Sequence, residues 1–123
     1  MKPLLAKQLT ELLDRIDHAI DGELVSVTMN HPQNFTIELS VQDKNRGYDW
    51  INIAFEFDGI VDANLLDDSK LSLIDMSDGI TMLFEEGYYA FGVGRYNNIT
   101  ALKSSTLFLV GNSLKYEERP FNN

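Results

Sequence analysis

Residues 34–57 read NFTIELSVQDKNRGYDWINIAFEF, and the spacing of their apolar side chains decides the fold class. Phe35, Ile37, Leu39 and Val41 alternate with Thr36, Glu38 and Ser40; further on, Ile51, Ile53, Phe55 and Phe57 alternate with Asn52, Ala54 and Glu56. A period of two sends successive side chains to opposite faces of a strand. One dry and one wet face is the mark of an antiparallel sheet, because parallel strands are covered on both sides and read as unbroken apolar runs. Between the two runs, Asp43-Lys44-Asn45-Arg46-Gly47 supplies turn-forming residues. Upstream, Val25, Val27 and Met29 alternate with Ser26 and Thr28, and His31-Pro32-Gln33-Asn34 turns that strand into the next.

Ahead of these strands the period is helical. Leu5, Leu9, Leu12, Leu13, Ile16 and Ile20 form one apolar stripe. Pro3 suits a first turn, where its missing N–H removes nothing, and Gly22 suits a left-handed cap. Glu11 precedes Arg15 by one helical turn, the favourable order for an ion pair. The spacing predicts one amphipathic helix over residues 3–21.

Downstream the strand period is less clean. Residues 60–66 and 71–76 are candidate strands around a turn at 67–70, and Asp78-Gly79 reads as a short hairpin turn. Residues 80–84, 88–93, 107–110 and 113–117 complete the strands, with Glu86-Gly87 and Gly111-Asn112 as turns; residues 95–105 carry no assignable pattern. The predicted class is α+β. A helix is about 10 Å wide and strands lie about 4.8 Å apart, so one helix covers only two or three strands. Seven or eight strands must therefore curl around the helix, fold over as a sandwich, or lend a face to a second copy. The expectation is a strongly curved antiparallel meander with the helix across its concave side, and a homodimer is the next alternative.

The chain has 123 residues, 19 acidic against 10 basic, and no cysteine. That length predicts a single domain over 1–123. Disulfides, zinc–thiolate sites, iron–sulfur clusters and thiol catalysis are excluded. The apolar runs are shorter than a membrane span, and the first residues lack the uninterrupted apolar core of a secretory signal, which leads to the expectation of a cytoplasmic protein. A net charge of -9 argues against nucleic acid or anionic membrane as partner, since both carry the same sign.

That charge is unevenly placed. Residues 56–86 hold Glu56, Asp58, Asp62, Asp67, Asp68, Asp75, Asp78, Glu85 and Glu86 against Lys70 alone, while residues 87–123 are net positive. The segment is also apolar at alternate positions, so its carboxylates belong to folded turns and wet strand faces. Asp58, Asp62, Asp67, Asp68, Asp75, Asp78, Glu85 and Glu86 are the expected partner-binding residues. An acidic surface steers a cationic protein to it and rejects anionic competitors. The plainer alternative is that the charge serves solubility and that Asp is simply a good turn residue.

Chemistry of other kinds is sparse. His18 has Asp14 and Asp21 at helical spacing, and His31 lies in a turn; neither has the further ligands a metal site requires. HExxH, GxSxG and calcium-loop patterns are absent, and residues 75–79 match the last only superficially. The adjacent pairs Asp67-Asp68 and Glu85-Glu86 read as solvated turn carboxylates rather than a glycosidase pair. Gly92-Val93-Gly94 lacks the third glycine and helix of a dinucleotide site, and instead marks a bend or a close approach within the sheet. Tyr88, Arg95 and Tyr96, like Tyr48 and Trp50, are either packed or part of a recognition surface.

In size, acidity and a helix leading into a sheet, the chain resembles the small cytosolic proteins that neutralise bacterial toxins. The localised acidity and the lack of a catalytic signature lead to the expectation of a non-catalytic module, of inhibitor or immunity type, that binds a basic protein such as a nuclease, whose groove must be cationic, with no cofactor and no metal. The alternatives are a small-ligand protein or modest enzyme with a pocket in the curved sheet, or a homo-oligomeric subunit.

Overall fold

The computed structural model describes residues 1–121. The fold is α+β, with nine strands in two antiparallel sheets rather than one continuous meander. The strands are β1 (Lys2–Pro3), β2 (Glu23–His31), β3 (Asn34–Asp43), β4 (Asp49–Asp58), β5 (Asp62–Asn64), β6 (Ile80–Glu85), β7 (Tyr88–Val93), β8 (Phe108–Gly111) and β9 (Ser113–Arg119). One sheet has the order β1-β9-β4-β3-β2 and the other β5-β8-β7-β6. The helices are α1 (Leu9–Arg15) and the short α2 (Ile99–Leu102).

The alternation in residues 34–57 sets the register of the larger sheet. Phe35 pairs with Phe57, Ile37 with Phe55, Leu39 with Ile53 and Val41 with Ile51, so all eight apolar side chains share one face. That face shares a single core with the inner residues of the second sheet, including Ile80, Met82, Phe91 and Leu109, and with Leu9, Leu12, Leu13 and Ile16 of the helical segment. Phe57 and Phe91 meet edge-on across the gap, ring centroids 6.3 Å apart. The covering problem posed by many half-apolar strands is thus solved inside the chain: each sheet covers the other, and α1 closes the gap against β6.

The two sheets join at a corner where β4 passes to β5 and β8 passes to β9. Asn112 N donates to Asp58 O at 2.9 Å, tying the two crossings together. A Cβ on Gly111 would stand 2.8 Å from that same carbonyl oxygen, and Gly59 takes a positive φ of 64°. Both positions therefore require glycine, and Gly111-Asn112 bends the chain from one sheet to the other instead of closing a hairpin.

Several local expectations are corrected. The helix is confined to Leu9–Arg15 between 3-10 turns at Ala6–Gln8 and Asp17–Ala19. Pro3 instead pairs with Lys115 on the outermost strand, where its missing donor breaks no ladder. Asp17, His18, Ala19 and Asp21 all have positive φ, which ends the helix before Gly22. Residues 71–76 form no strand; Asp68–Leu73 is a 3-10 segment. Asp78-Gly79 leads from that segment into β6 and joins no hairpin, with Gly79 packed so closely on the His18 carbonyl that a Cβ would overlap it. Residues 95–105 contain α2, whose N-cap Asn98 accepts from Ala101 N at 2.8 Å through Oδ1. The outer face of the second sheet packs on α2: Leu102 sits over Gly92, where a Cβ would be 2.7 Å from its Cγ. No described helix is long and apolar enough to cross a membrane.

Candidate partner-binding surface

The basic side chains are few, and their placement decides which carboxylates are neutralised. Arg15 spans the space between α1 and the large sheet, donating to Asp43 through Nε at 2.9 Å and through Nη2 at 2.5 Å. Its Nη1 lies 2.6 Å from Glu118, and Arg46 bonds the other Glu118 oxygen at 2.9 Å and approaches Asp43 at 3.3 Å. The Asp43 carboxylate has no accessible surface. The hydrogen bonds from Arg15 hold its pKa below the ordinary Asp range, outweighing the upward push of burial, and Arg15 is raised above its own ordinary value by the same bonds. Lys44 lies 3.6 Å from both Asp14 and Asp17, and Arg119 pairs with Glu38 and Glu117. Behind Arg119, Glu38 accepts from Asn52 Nδ2 at 2.8 Å, and Asn52 accepts from Ser40 Oγ at 2.7 Å.

All of these cations serve acids outside residues 56–86. Within that segment Lys103 meets Asp62 at 3.0 Å, and His31 lies 3.8 Å from Asp58, an ion pair only when the imidazole is protonated. Among the described residues, Glu56, Asp67, Asp68, Asp75, Asp78, Glu85 and Glu86 form no salt bridge.

The acids are distributed over distinct places. Asp58, at the sheet corner, accepts from Asn34 Nδ2 at 3.2 Å. Asp62, Glu85 and Glu86 line a groove of about 460 Å3 with Tyr88 and Lys103, and Glu85 also accepts from Ile99 N at 3.1 Å at the start of α2. Asp67, Asp68, Asp75 and Asp78 belong to the connection between β5 and β6. Asp68 accepts from Val27 N at 3.0 Å, capping an edge donor of β2. Asp75 accepts from Ser77 N at 2.9 Å, and this bond lowers its pKa. The eight carboxylates thus form one group on the 65–79 connection and a second around the tip of the β6–β7 hairpin, with Asp58 at the corner.

Sequence reading missed what lies beside the first group. Asp21, Glu23, Trp50 and Asp75 line a groove of about 490 Å3 together with Leu71 and Met76. Asp21 and Glu23 arrive there because Asp21 N donates to Met76 O at 2.9 Å. Leu73 is 81% exposed, the most exposed of the large hydrophobic residues. Trp50, on the outer face of the larger sheet, stacks on Phe121 with centroids 5.9 Å apart. The sequence carried no signal for the exposure of Leu73, because residues 71–76 read as a strand in which Leu71 and Leu73 share a face.

His18 is exposed in its left-handed turn, so the helical spacing to Asp14 and Asp21 does not hold. The described residues contain no group of three or more His, Asp or Glu suited to a metal ion. Between the sheets the space is occupied by side chains: Ile37, Leu39, Ile53, Phe55, Phe57 and Phe91 have no accessible surface. No protein-family model, curated protein or solved structure matches the chain.

Proposed function

We propose that this chain is a non-catalytic acidic module that binds a basic protein, acting as an inhibitor or immunity-type neutraliser of a nuclease-like partner. The observation that carries the reading is the division of ion pairs: among the described residues, four of the five lysines and arginines in salt bridges serve acids outside residues 56–86, leaving most of that segment's carboxylates uncompensated. Exposed charges contribute little to folding. Uncompensated, they project a potential that accelerates encounter with an oppositely charged surface. A nuclease is a fitting partner because its substrate groove must be cationic, and an acidic protein seated there excludes the nucleic acid.

The test is affinity capture from native lysate at low salt, comparing the wild-type protein with a variant carrying Asp67→Asn, Asp68→Asn, Asp75→Asn and Asp78→Asn. The expected result is a basic protein retained by the wild type, released as salt rises, and not retained by the variant. Equal retention on both columns overturns the proposal.

A further inference from the structure

Resting on the reading above, we infer that the groove beside the 65–79 connection receives an arginine side chain of the basic partner, with Leu73 packing against an apolar residue next to that arginine. The groove holds about 440 Å3 and has an apolar floor of Leu66, Ile74 and Val93, with Tyr96 on one wall. Asp75 and Asp78 stand on its rim. Neither forms a salt bridge within the described chain, and the Ser77 amide keeps Asp75 in its ionised form.

An apolar floor with carboxylates at the rim matches a side chain that is aliphatic along its stem and cationic at its end. Arginine fits better than lysine. Its planar guanidinium presents a fork to two carboxylates and stacks on an aromatic ring such as Tyr96, whereas an ammonium is a compact, strongly hydrated point charge. Lys70 is the basic residue on the same rim. Asp67 and Asp68 precede it by three and two positions, so the connection as a whole stays negative and the incoming charge is drawn to the Asp75 and Asp78 end. Leu73 lines the same groove and is largely in solvent, so it supplies what a free amino acid does not use: an apolar anchor that requires a neighbouring residue on the same partner. The groove at Asp62 and Glu85 is a poorer receptor, because Lys103 already pairs with Asp62 there, whereas among the described residues Lys70 forms no salt bridge with Asp75 or Asp78.

The experiment uses isotope-labelled full-length protein and the peptide acetyl-Leu-Arg-Leu-Arg-Leu-amide, with a second peptide carrying glutamine for arginine. Amide shifts on titration at low salt are expected at residues 66–78 and 93–96 with the arginine peptide and not with the glutamine peptide. The double variant Asp75→Asn and Asp78→Asn should bind about tenfold more weakly, and Leu73→Ala should bind severalfold more weakly. All three positions are exposed, so the variants keep the fold, which their own spectra verify. Shifts centred on Asp62, Glu85 and Glu86 overturn this inference and leave the basic-partner reading standing. Equal shifts with both peptides, or none with either, overturn this inference, while the basic-partner reading stands or falls by the capture experiment.

Discussion

Replacing Arg15 by Met isolates the contribution of the main polar link between helix and sheet. The side chain keeps its apolar stem and loses its guanidinium, leaving the Asp43 carboxylate without accessible surface and without its two strongest bonds. Breaking one partner of a buried pair costs about 3–5 kcal/mol. Two features reduce this. Asp43 retains the Asn45 amide at 2.9 Å and Arg46 at 3.3 Å, and Arg15 is itself 23% exposed. The expected loss is therefore about 2–3 kcal/mol. Urea unfolding followed by circular dichroism measures it, with the midpoint falling and the m-value unchanged. Adding Asp43→Asn removes the uncompensated charge while an amide oxygen still accepts from Asn45, so the double variant should be less destabilised than the sum of the single ones. A loss below about 0.5 kcal/mol, the level of an ordinary surface substitution, or strict additivity of the two changes, refutes the reasoning.

Acid titration gives a second check. The folded pKa of Asp43 is depressed, so its contribution is present above the unfolded value of about 3.9 and is lost as pH falls through the folded pKa; stability followed from pH 5 downward should fall less steeply in Arg15→Met than in the wild type. Gly92→Val places a branched side chain under Leu102 and should cost about 1–3 kcal/mol in urea unfolding; adding Leu102→Ala should return part of it, and no recovery contradicts the stated packing. His18 is exposed with a φ of 54°, and its turn is left-handed through Ala19. His18→Gly removes a Cβ penalty of about 1–2 kcal/mol against an unfolded-state cost of about 0.4–1 kcal/mol, so calorimetry should show a higher Tm; a lower one contradicts this account of the turn.

The sheets were legible because their physics is local in sequence. Residues 34–57 announce both strands, their shared dry face and the turn between them, and the observed pairing follows that pattern through Phe35 to Val41. The division into two sheets was not legible. It depends on Gly59, Gly111 and Asn112 meeting at one corner, a contact between residues more than 50 positions apart. The helix was overextended because the apolar stripe persists through Ile20, while backbone geometry reverses at Asp17 without a glycine or proline to signal it. Residues 71–76 look like a strand by composition. Tertiary demands prevail there: Leu71 turns inward from a 3-10 segment that packs beside β2 and leaves Leu73 outside, and Met76 is buried just beyond it.

The placement of the acidic residues was legible in part. Composition located the charge in residues 56–86, and the eight candidate carboxylates lie on turns, strand ends and short connections as expected. Which of them are neutralised follows from long-range geometry: Lys103 reaches Asp62 across 41 positions in sequence, while Arg15, Arg46 and Arg119 are consumed elsewhere. The approach of Asp21, Glu23 and Trp50 to Asp75 likewise arises from the fold, since it depends on the left-handed turn docking against Met76.

Association kinetics with the captured basic partner put the electrostatic claim to its most direct trial. Triple neutralisation by Asp62→Asn, Asp67→Asn and Asp68→Asn should slow the low-salt association rate on the order of tenfold, and raising the salt should bring wild type and variant together. An association rate that ignores both the substitutions and the salt would contradict the account.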